Sequence, residues 1–216
     1  MLHMDYRPAL TLLSNQPLSH QLLVSIFKDY QHPNDKIYQL TREGVLLSIK
    51  KGLYVVGPEL NTHARPEPFL LANHILGPSY VSVETALSYH GLIPERVYEI
   101  ASMTTKAPRK FKTPLGNFTY TRLPLPYYAF GIRSEKLADD QYAMVASPEK
   151  ALCDKIITTS GLLLRSKKAA REFLLENMRM DEEILKQLNV KEMTTWIKGS
   201  LKEESLSMVV SAIQEL

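Results

Sequence analysis

The fold of the first part of this chain is decided by one stretch, Asn34-Asp-Lys-Ile-Tyr-Gln-Leu-Thr-Arg-Glu-Gly-Val-Leu-Leu-Ser-Ile-Lys-Lys-Gly-Leu-Tyr-Val-Val56. Ile37 and Leu40 have the i, i+3 spacing of a helix that buries one side. Asn34 and Gly44 are residue types that commonly cap the start and the end of a helix. The stretch therefore predicts a helix between these two residues, with Ile37 and Leu40 facing inward.

The residues around this helix predict two further elements. After it, the β-rich runs 45–49 and 53–56 flank the turn Lys50-Lys51-Gly52, which is typical of a hairpin. Before it, residues 19–27 have apolar side chains at helical spacing behind a capping serine, and 30–33 read as a short break. Two helices joined by a tight turn and followed by a basic-tipped hairpin have the order of a winged helix-turn-helix. We therefore expect residues 1–58 to be a DNA-binding domain of that type.

The outer face of the second helix and the hairpin tip are the candidate DNA contacts. Side chains on the outer face would read base edges, where glutamine pairs with adenine and arginine with guanine, while the basic flank and tip would hold phosphates. A solvated helix face with a charged turn is the alternative, and the sequence leaves it open. We expect Tyr38, Gln39 and Arg42 to read bases, and Lys36, Lys50 and Lys51 to hold phosphates.

The rest of the chain predicts a second domain of α+β type. Residues 57–68 contain three prolines and no apolar periodicity, so we expect a linker at 59–65 and a domain at 66–216. Helical runs at 69–76 and 82–90 precede a mainly antiparallel sheet. From Ser147 the pattern is helical, with Pro148 at the first helical position, and predicts a helical layer on the sheet. The predicted strands are 97–104, 111–113, 118–123, 127–132 and 142–146, with 97–104 and 127–132 near the centre.

Composition and motifs exclude several classes of protein. With 216 residues, 44% hydrophobic and 23% charged, the chain has the composition of a folded globular protein, and its net charge of +3 does not by itself indicate nucleic-acid binding. The single cysteine, Cys153, cannot form an intramolecular disulfide, and neither a leader segment nor a membrane helix is evident, so a cytoplasmic location is expected. No nucleophile, phosphate-binding or metal motif is present, so we expect no enzymatic activity, cofactor or metal.

Two further features of the second part have competing interpretations. His90 shares an apolar stripe with Val83, Ala86 and Leu87, which favours a core or interface histidine over a catalytic base. Residues 106–112 hold four positive charges in seven residues. They could bind phosphate, but a solvated run that protects a sheet edge is favoured.

Several stretches together resemble the AbiEi family of antitoxins and transcriptional regulators of type IV toxin-antitoxin systems. The most specific are Pro78-Ser-Tyr-Val-Ser-Val-Glu-Thr-Ala-Leu-Ser-Tyr-His-Gly-Leu-Ile-Pro94 and Ala146-Ser-Pro-Glu-Lys-Ala-Leu152, and the others are 40–46, 51–55, 111–118 and 130–132. They follow the family's order over about residues 18–155, while the tail beyond about 160 matches nothing in the family.

The resemblance implies an N-terminal winged helix that represses its own operon by binding operator DNA. It also implies a C-terminal domain that antagonises a toxin encoded beside it, typically a nucleotidyltransferase, without requiring direct contact. One short helix reads few base pairs, so a homodimer on two half-sites is expected. Two alternatives stay open: a DNA-processing nuclease delivered by the winged helix, and a plain transcriptional regulator without a toxin partner.

Overall fold

The computed structural model describes residues 5–61 and 65–216 and has a mixed α+β architecture with two sheets. The first part contains the helices α1 (Arg7–Leu12), α2 (His20–Ile26) and α3 (Pro33–Arg42) and the strands β1 (Leu18–Ser19), β2 (Leu46–Lys50) and β3 (Leu53–Val56). The second part begins with α4 (Pro68–Ile75), β4 (Ser79–Val81), α5 (Val83–Tyr89), β5 (Glu99–Thr104), β6 (Arg109–Thr113) and β7 (Gly116–Arg122). It continues with β8 (Ile132–Lys136), β9 (Tyr142–Ala146), α6 (Pro148–Thr158), α7 (Lys167–Glu172), α8 (Glu182–Leu185), α9 (Val190–Ile197) and α10 (Glu203–Gln214).

The first part packs three helices against a small antiparallel sheet in which β3 lies between β1 and β2. The predicted serine cap is confirmed, because Ser19 Oγ accepts from the backbone N of Leu22 at 3.1 Å. The predicted cap at Asn34 is wrong. The helix α3 begins at Pro33, two residues before the predicted start at Asp35, because the ring of a proline at the first helical position already has the φ that a helix needs.

The second sheet has six strands in the order β6-β7-β5-β4-β9-β8 and is mixed. The β5–β7 and β4–β9 pairs are parallel and the other three pairs are antiparallel, so the sheet is mixed, with antiparallel pairs in the majority. The two parallel pairs escaped prediction because alternation of apolar residues is the same in parallel and antiparallel neighbours.

One predicted central strand, 127–132, is not a strand. Tyr127–Ala129 form a single 3-10 turn whose first tyrosine is buried, and the strand β8 begins only at Ile132, on the edge of the sheet. The aromatic residues of this segment therefore fill the core from a turn. The central position is taken by β4, whose three residues were too short a run to be recognised.

The helices of the second part begin largely where the sequence predicts. Ser147 caps α6, with its Oγ accepting from the backbone N of Lys150 at 3.2 Å, and Pro148 occupies the first helical position. Cys153, inside α6, is fully buried. None of the helices in the described ranges is long and apolar enough to cross a membrane.

The hairpin β2–β3 has two buried faces. Leu46 and Val56 pack with the helices of the first part, whereas Ile49, Leu53 and Val55 belong to the same apolar cluster as α4 and the six-stranded sheet. The division into residues 1–58, 59–65 and 66–216 stays a prediction, and 62–64 of the proposed linker lie outside the described residues. The hairpin is thus packed into both parts of the chain.

Candidate nucleic-acid interface

The helix α3 presents a polar face to solvent. Ile37 and Leu40 are buried beneath it, while Gln39 and Arg42 are exposed and Tyr38 has 66% of its surface exposed. This arrangement follows from the helical period, because positions 38, 39 and 42 lie opposite the buried stripe. The three residues expected to read bases therefore lie together on one accessible surface.

The ammonium of Lys36 lies against two aromatic rings. Its Nζ lies 5.0 Å from the ring centroid of Tyr6 and 5.6 Å from that of Tyr30, which are cation–π distances. The ammonium is thus held against two aromatic rings at the first turn of α3. Contact with a phosphate stays a prediction for this residue.

A chain of polar contacts runs along the outer face of α3. Lys36 Nζ donates to Oε1 of Gln39 at 3.4 Å, and Nε2 of Gln39 donates to Oε1 of Glu43 at 2.7 Å. The i, i+3 and i, i+4 spacings place these side chains in one row. Glu43 was not among the predicted site residues, although its i+4 spacing from Gln39 is a signal that could have found it.

His20 connects α3 with the hairpin tip, residues 50–52. Its backbone N donates to the carbonyl oxygen of Gly52 at 3.0 Å, and its Nε2 lies within hydrogen-bond distance, 3.1 Å, of Oδ1 of Asn34. Gly52 has a φ of +81°, a conformation that favours glycine in this turn. His20 therefore fixes the position of the start of α3 relative to the hairpin tip. The sequence pattern did not identify this residue.

The hairpin tip adjoins the basic run of the second part. Lys51 is exposed, and partial burial lowers the pKa of Lys50, as do the positive charges of Lys106 and Arg109 beside it. The strand β6, at the edge of the six-stranded sheet, carries Arg109 and the exposed residues Lys110 and Lys112. No ion pair involves these six side chains within the described part of the chain.

Four of these basic residues lie together and form the tip patch: Lys50, Lys51, Lys106 and Arg109. Lys110 and Lys112 project from the opposite face of β6 to Arg109, because successive side chains of a strand alternate. Both parts of the chain contribute to it, because β2 lies beside β6. Lys50 is partly buried and Lys106 Nζ donates to the carbonyl oxygen of Gly77, but none of these cations has an ion-pair partner in the described part of the chain. Positive charges without ion pairs at this density are typical of a surface that binds phosphates. The solvated-edge interpretation of residues 106–112 predicts the same exposure but does not explain why Lys106 and Arg109 lie beside Lys50.

A second polar cluster is enclosed in the core of the second part. Lys150 Nζ lies 3.0 Å from Oδ1 of Asp154 and donates to the carbonyl oxygen of Tyr127 at 2.9 Å. The hydroxyls of Tyr80 and Ser82 donate to Oδ2 of Asp154 at 2.9 and 2.7 Å. Burial raises the pKa of Asp154 and lowers that of Lys150.

This cluster is structural in its geometry. The nuclease alternative needs an acidic residue and a lysine that a substrate can reach, whereas both charged side chains here are fully buried. The neighbouring thiol is enclosed as well, and burial raises the pKa of Cys153 to about 12. Two of the stretches quoted above, 78–94 and 146–152, meet in this cluster through Tyr80, Ser82 and Lys150.

His90, expected to be a core or interface histidine, is partly buried at the end of α5. Its Nε2 lies 2.8 Å from the carbonyl oxygen of Ala146, so the ring joins the same two stretches at a second point. Val83, Ala86 and Leu87, which share its stripe, are buried.

Comparison with known proteins yields neither a matching family model nor a matching curated protein. A functional conclusion therefore depends on the geometry of α3 and the tip patch, together with the sequence resemblance.

Proposed function

We propose that this protein is a transcriptional repressor that binds duplex operator DNA and an antitoxin of a type IV toxin-antitoxin operon. The first part would be a winged helix-turn-helix in which α3 enters the major groove. A homodimer would place two such helices on two half-sites, and repression of the operon would take place in the cytoplasm.

The order and pairing of the elements support a winged helix. The chain runs α1, β1, α2, α3 and then the hairpin β2–β3, and the short strand β1 pairs with β3. In a winged helix the second helix of the turn motif reads base edges and the hairpin contacts the backbone. The corresponding elements here are α3 and the tip patch.

One observation carries the proposal: an exposed polar helix face is joined to a basic turn through a single residue, His20. Base readout requires polar side chains at a set distance from groups that hold phosphates, because the phosphate contacts fix the register of the protein on the duplex. Residues Tyr38, Gln39 and Arg42 would read bases, and Lys50 and Lys51 would hold phosphates. Lys106 and Arg109 extend the phosphate-binding surface beyond the first part.

The antitoxin half of the proposal rests on the resemblance of the second part. The two most specific stretches are held together by the buried Lys150–Asp154 cluster and by His90, so the sequence similarity falls on residues that build the domain core. Such a domain would counteract a toxin encoded beside it, typically a nucleotidyltransferase, without a required complex. A plain regulator would keep the same core and lack this activity.

Two experiments test the proposal. Gel-shift titration on the promoter region of the chain's own operon should show binding that is tighter than on unrelated duplex and that weakens steeply with salt, with a log–log slope of about −0.9 per neutralised phosphate. Equal affinity for both duplexes at every salt concentration would overturn the repressor role. Co-expression with the adjacent toxin should rescue growth, and specific DNA binding without rescue would favour the plain regulator.

A further inference from the structure

The carboxamide of Gln39 lies between a positive and a negative charge. Its Oε1 accepts from Lys36 Nζ at 3.4 Å and its Nε2 donates to Glu43 Oε1 at 2.7 Å. Both charged residues lie on α3 itself, one on each side of Gln39. The aromatic rings of Tyr6 and Tyr30 hold the ammonium of Lys36 in turn.

This arrangement favours one orientation of the carboxamide. Rotation by 180° about the terminal bond would bring the NH2 group against the ammonium and the carbonyl oxygen against the carboxylate. Both contacts would then be repulsive, so the flipped state is disfavoured at both ends. An isolated glutamine on a helix surface has no such preference, because its terminal torsion is roughly two-fold.

The oriented group still has free hydrogen-bonding capacity. A carboxamide carries two N–H donors and two lone pairs on its oxygen, and the contacts to Lys36 and Glu43 use one of each. The remaining donor and acceptor suit N7 and N6 of adenine, the bidentate pattern that glutamine reads in the major groove. An A·T pair and a T·A pair present this donor and acceptor in opposite directions across the groove.

We propose that Lys36 and Glu43 are positioning residues that fix the direction in which Gln39 presents its donor and acceptor, so that the operator carries an A·T pair of one polarity at the position Gln39 reads. This proposal rests on the proposed DNA-binding function. It adds Glu43 to the specificity-determining residues and gives Lys36 a role other than binding phosphate.

The test uses the full chain and a pool of duplexes with randomised bases. Selection with the wild-type protein defines the preferred site, and the position at which Gln39→Ala loses its preference is the pair that Gln39 reads. Fluorescence anisotropy then compares the selected duplex with one in which that A·T pair is reversed to T·A. We expect the wild type to prefer A·T by about tenfold or more, in line with one bidentate contact.

Glu43→Ala should reduce this preference severalfold while leaving preferences at the other positions unchanged, and Lys36→Met should do the same. Asp35→Ala is the matched control, because it removes a negative charge from the same exposed helix without touching Gln39 in the structure. It should raise affinity for every duplex alike and keep the A·T preference. Thermal melting of each variant checks that the fold is retained.

The failures of the two proposals are distinguishable. If the wild type selects no sequence, the repressor function fails, and this inference fails with it. If the wild type selects a site but Glu43→Ala keeps the full A·T preference, or if Gln39→Ala changes the preference at no position, only the orientation proposal is overturned.

Discussion

Nε2 of His20 lies 3.1 Å from Oδ1 of Asn34, so the first residue of α2 is in contact with the first turn of α3. The same residue reaches the hairpin turn through its backbone N. The contact is solvent-exposed, and a hydrogen bond of this kind contributes about 0.5–1.5 kcal/mol to stability. Its larger effect should be on the distance between the polar face of α3 and the tip patch.

The first prediction therefore concerns His20→Ala. We expect a loss of operator affinity of about tenfold, corresponding to roughly 1.4 kcal/mol, with a free energy of unfolding that changes by less than that. Gel-shift titration and urea unfolding measure the two quantities. His74→Ala, an exposed histidine on α4, should leave operator affinity unchanged. Equal affinity of His20→Ala and wild type would mean that the helix and the turn keep their register without this side chain.

The second prediction concerns the tip patch. Replacing Lys50, Lys106 or Arg109 by Ala should weaken binding to all duplexes alike and reduce the log–log salt slope by about one unit each, because each contact neutralises one phosphate. Replacing Arg42 by Ala should instead cost about 1–3 kcal/mol at the operator and relax base preference.

Lys198→Ala serves as the control for charge removal, since this exposed lysine lies after α9 in the helical tail. Its salt slope should equal that of the wild type. An unchanged slope for both Lys106→Ala and Arg109→Ala would restrict the interface to the first part of the chain and would leave residues 106–112 as a solvated sheet edge.

The third prediction addresses the buried ion pair. Lys150→Met leaves the carboxylate of Asp154 in the core without its cation, which should reduce the free energy of unfolding by about 3–5 kcal/mol. The double variant Lys150→Met, Asp154→Leu removes both charges but leaves the hydroxyls of Tyr80 and Ser82 without their acceptor, so it should recover only part of this loss. Urea unfolding of the single and double variants gives the comparison. If the free energy of unfolding of the single variant lies within about 1 kcal/mol of the wild-type value, the pair contributes little to the stability of the fold.

The fourth prediction tests the shared hairpin with the only tryptophan, Trp196, which is buried in the second part and reports its unfolding. Leu53 belongs to the first part by sequence but packs in the apolar cluster of the second part. Leu53→Ala should therefore lower the free energy of the unfolding transition that Trp196 reports by about 2–5 kcal/mol. Leu23→Ala is the matched control, because Leu23 lies in the cluster of the first part.

We expect Leu23→Ala to shift the unfolding transition of Trp196 less than Leu53→Ala does. If Leu53→Ala leaves the Trp196 midpoint in place, the hairpin does not stabilise the second part. A fragment of residues 66–216 lacks the three hairpin side chains altogether, so its unfolding midpoint should lie below that of the full chain. Growth rescue with this fragment is therefore interpretable only beside its own unfolding curve.

Local patterns predicted most of the elements, with the segment 127–132 and the strand β4 as exceptions, whereas the relations between elements escaped prediction. The buried stripe of Ile37 and Leu40 was visible because a helix has a regular period. The cap at Asn34 failed because a preceding proline competes for the same helix start, and Asn34 instead contacts His20.

The order of the second sheet and the shape of the tip patch depend on tertiary contacts. The sequence shows residues 106–112 as basic but does not show that Arg109 lies beside Lys50, more than 50 residues earlier in the chain. The same holds for Tyr80, whose contact with Asp154 is formed only when two distant stretches meet, whereas the Lys150–Asp154 pair lies within α6 at i, i+4 spacing.

Because both faces of the hairpin β2–β3 are buried, exchange of domains during evolution is restricted in this protein. A gene fusion that replaced the first part of the chain with another domain would remove Ile49, Leu53 and Val55 from the core of the second part. A recombination point placed upstream of the hairpin would instead separate α3 from the strands that support it. Homologous chimaeras should therefore keep a stable second part only when the donor supplies apolar residues at these three positions, so the first part and the core of the second part are inherited together.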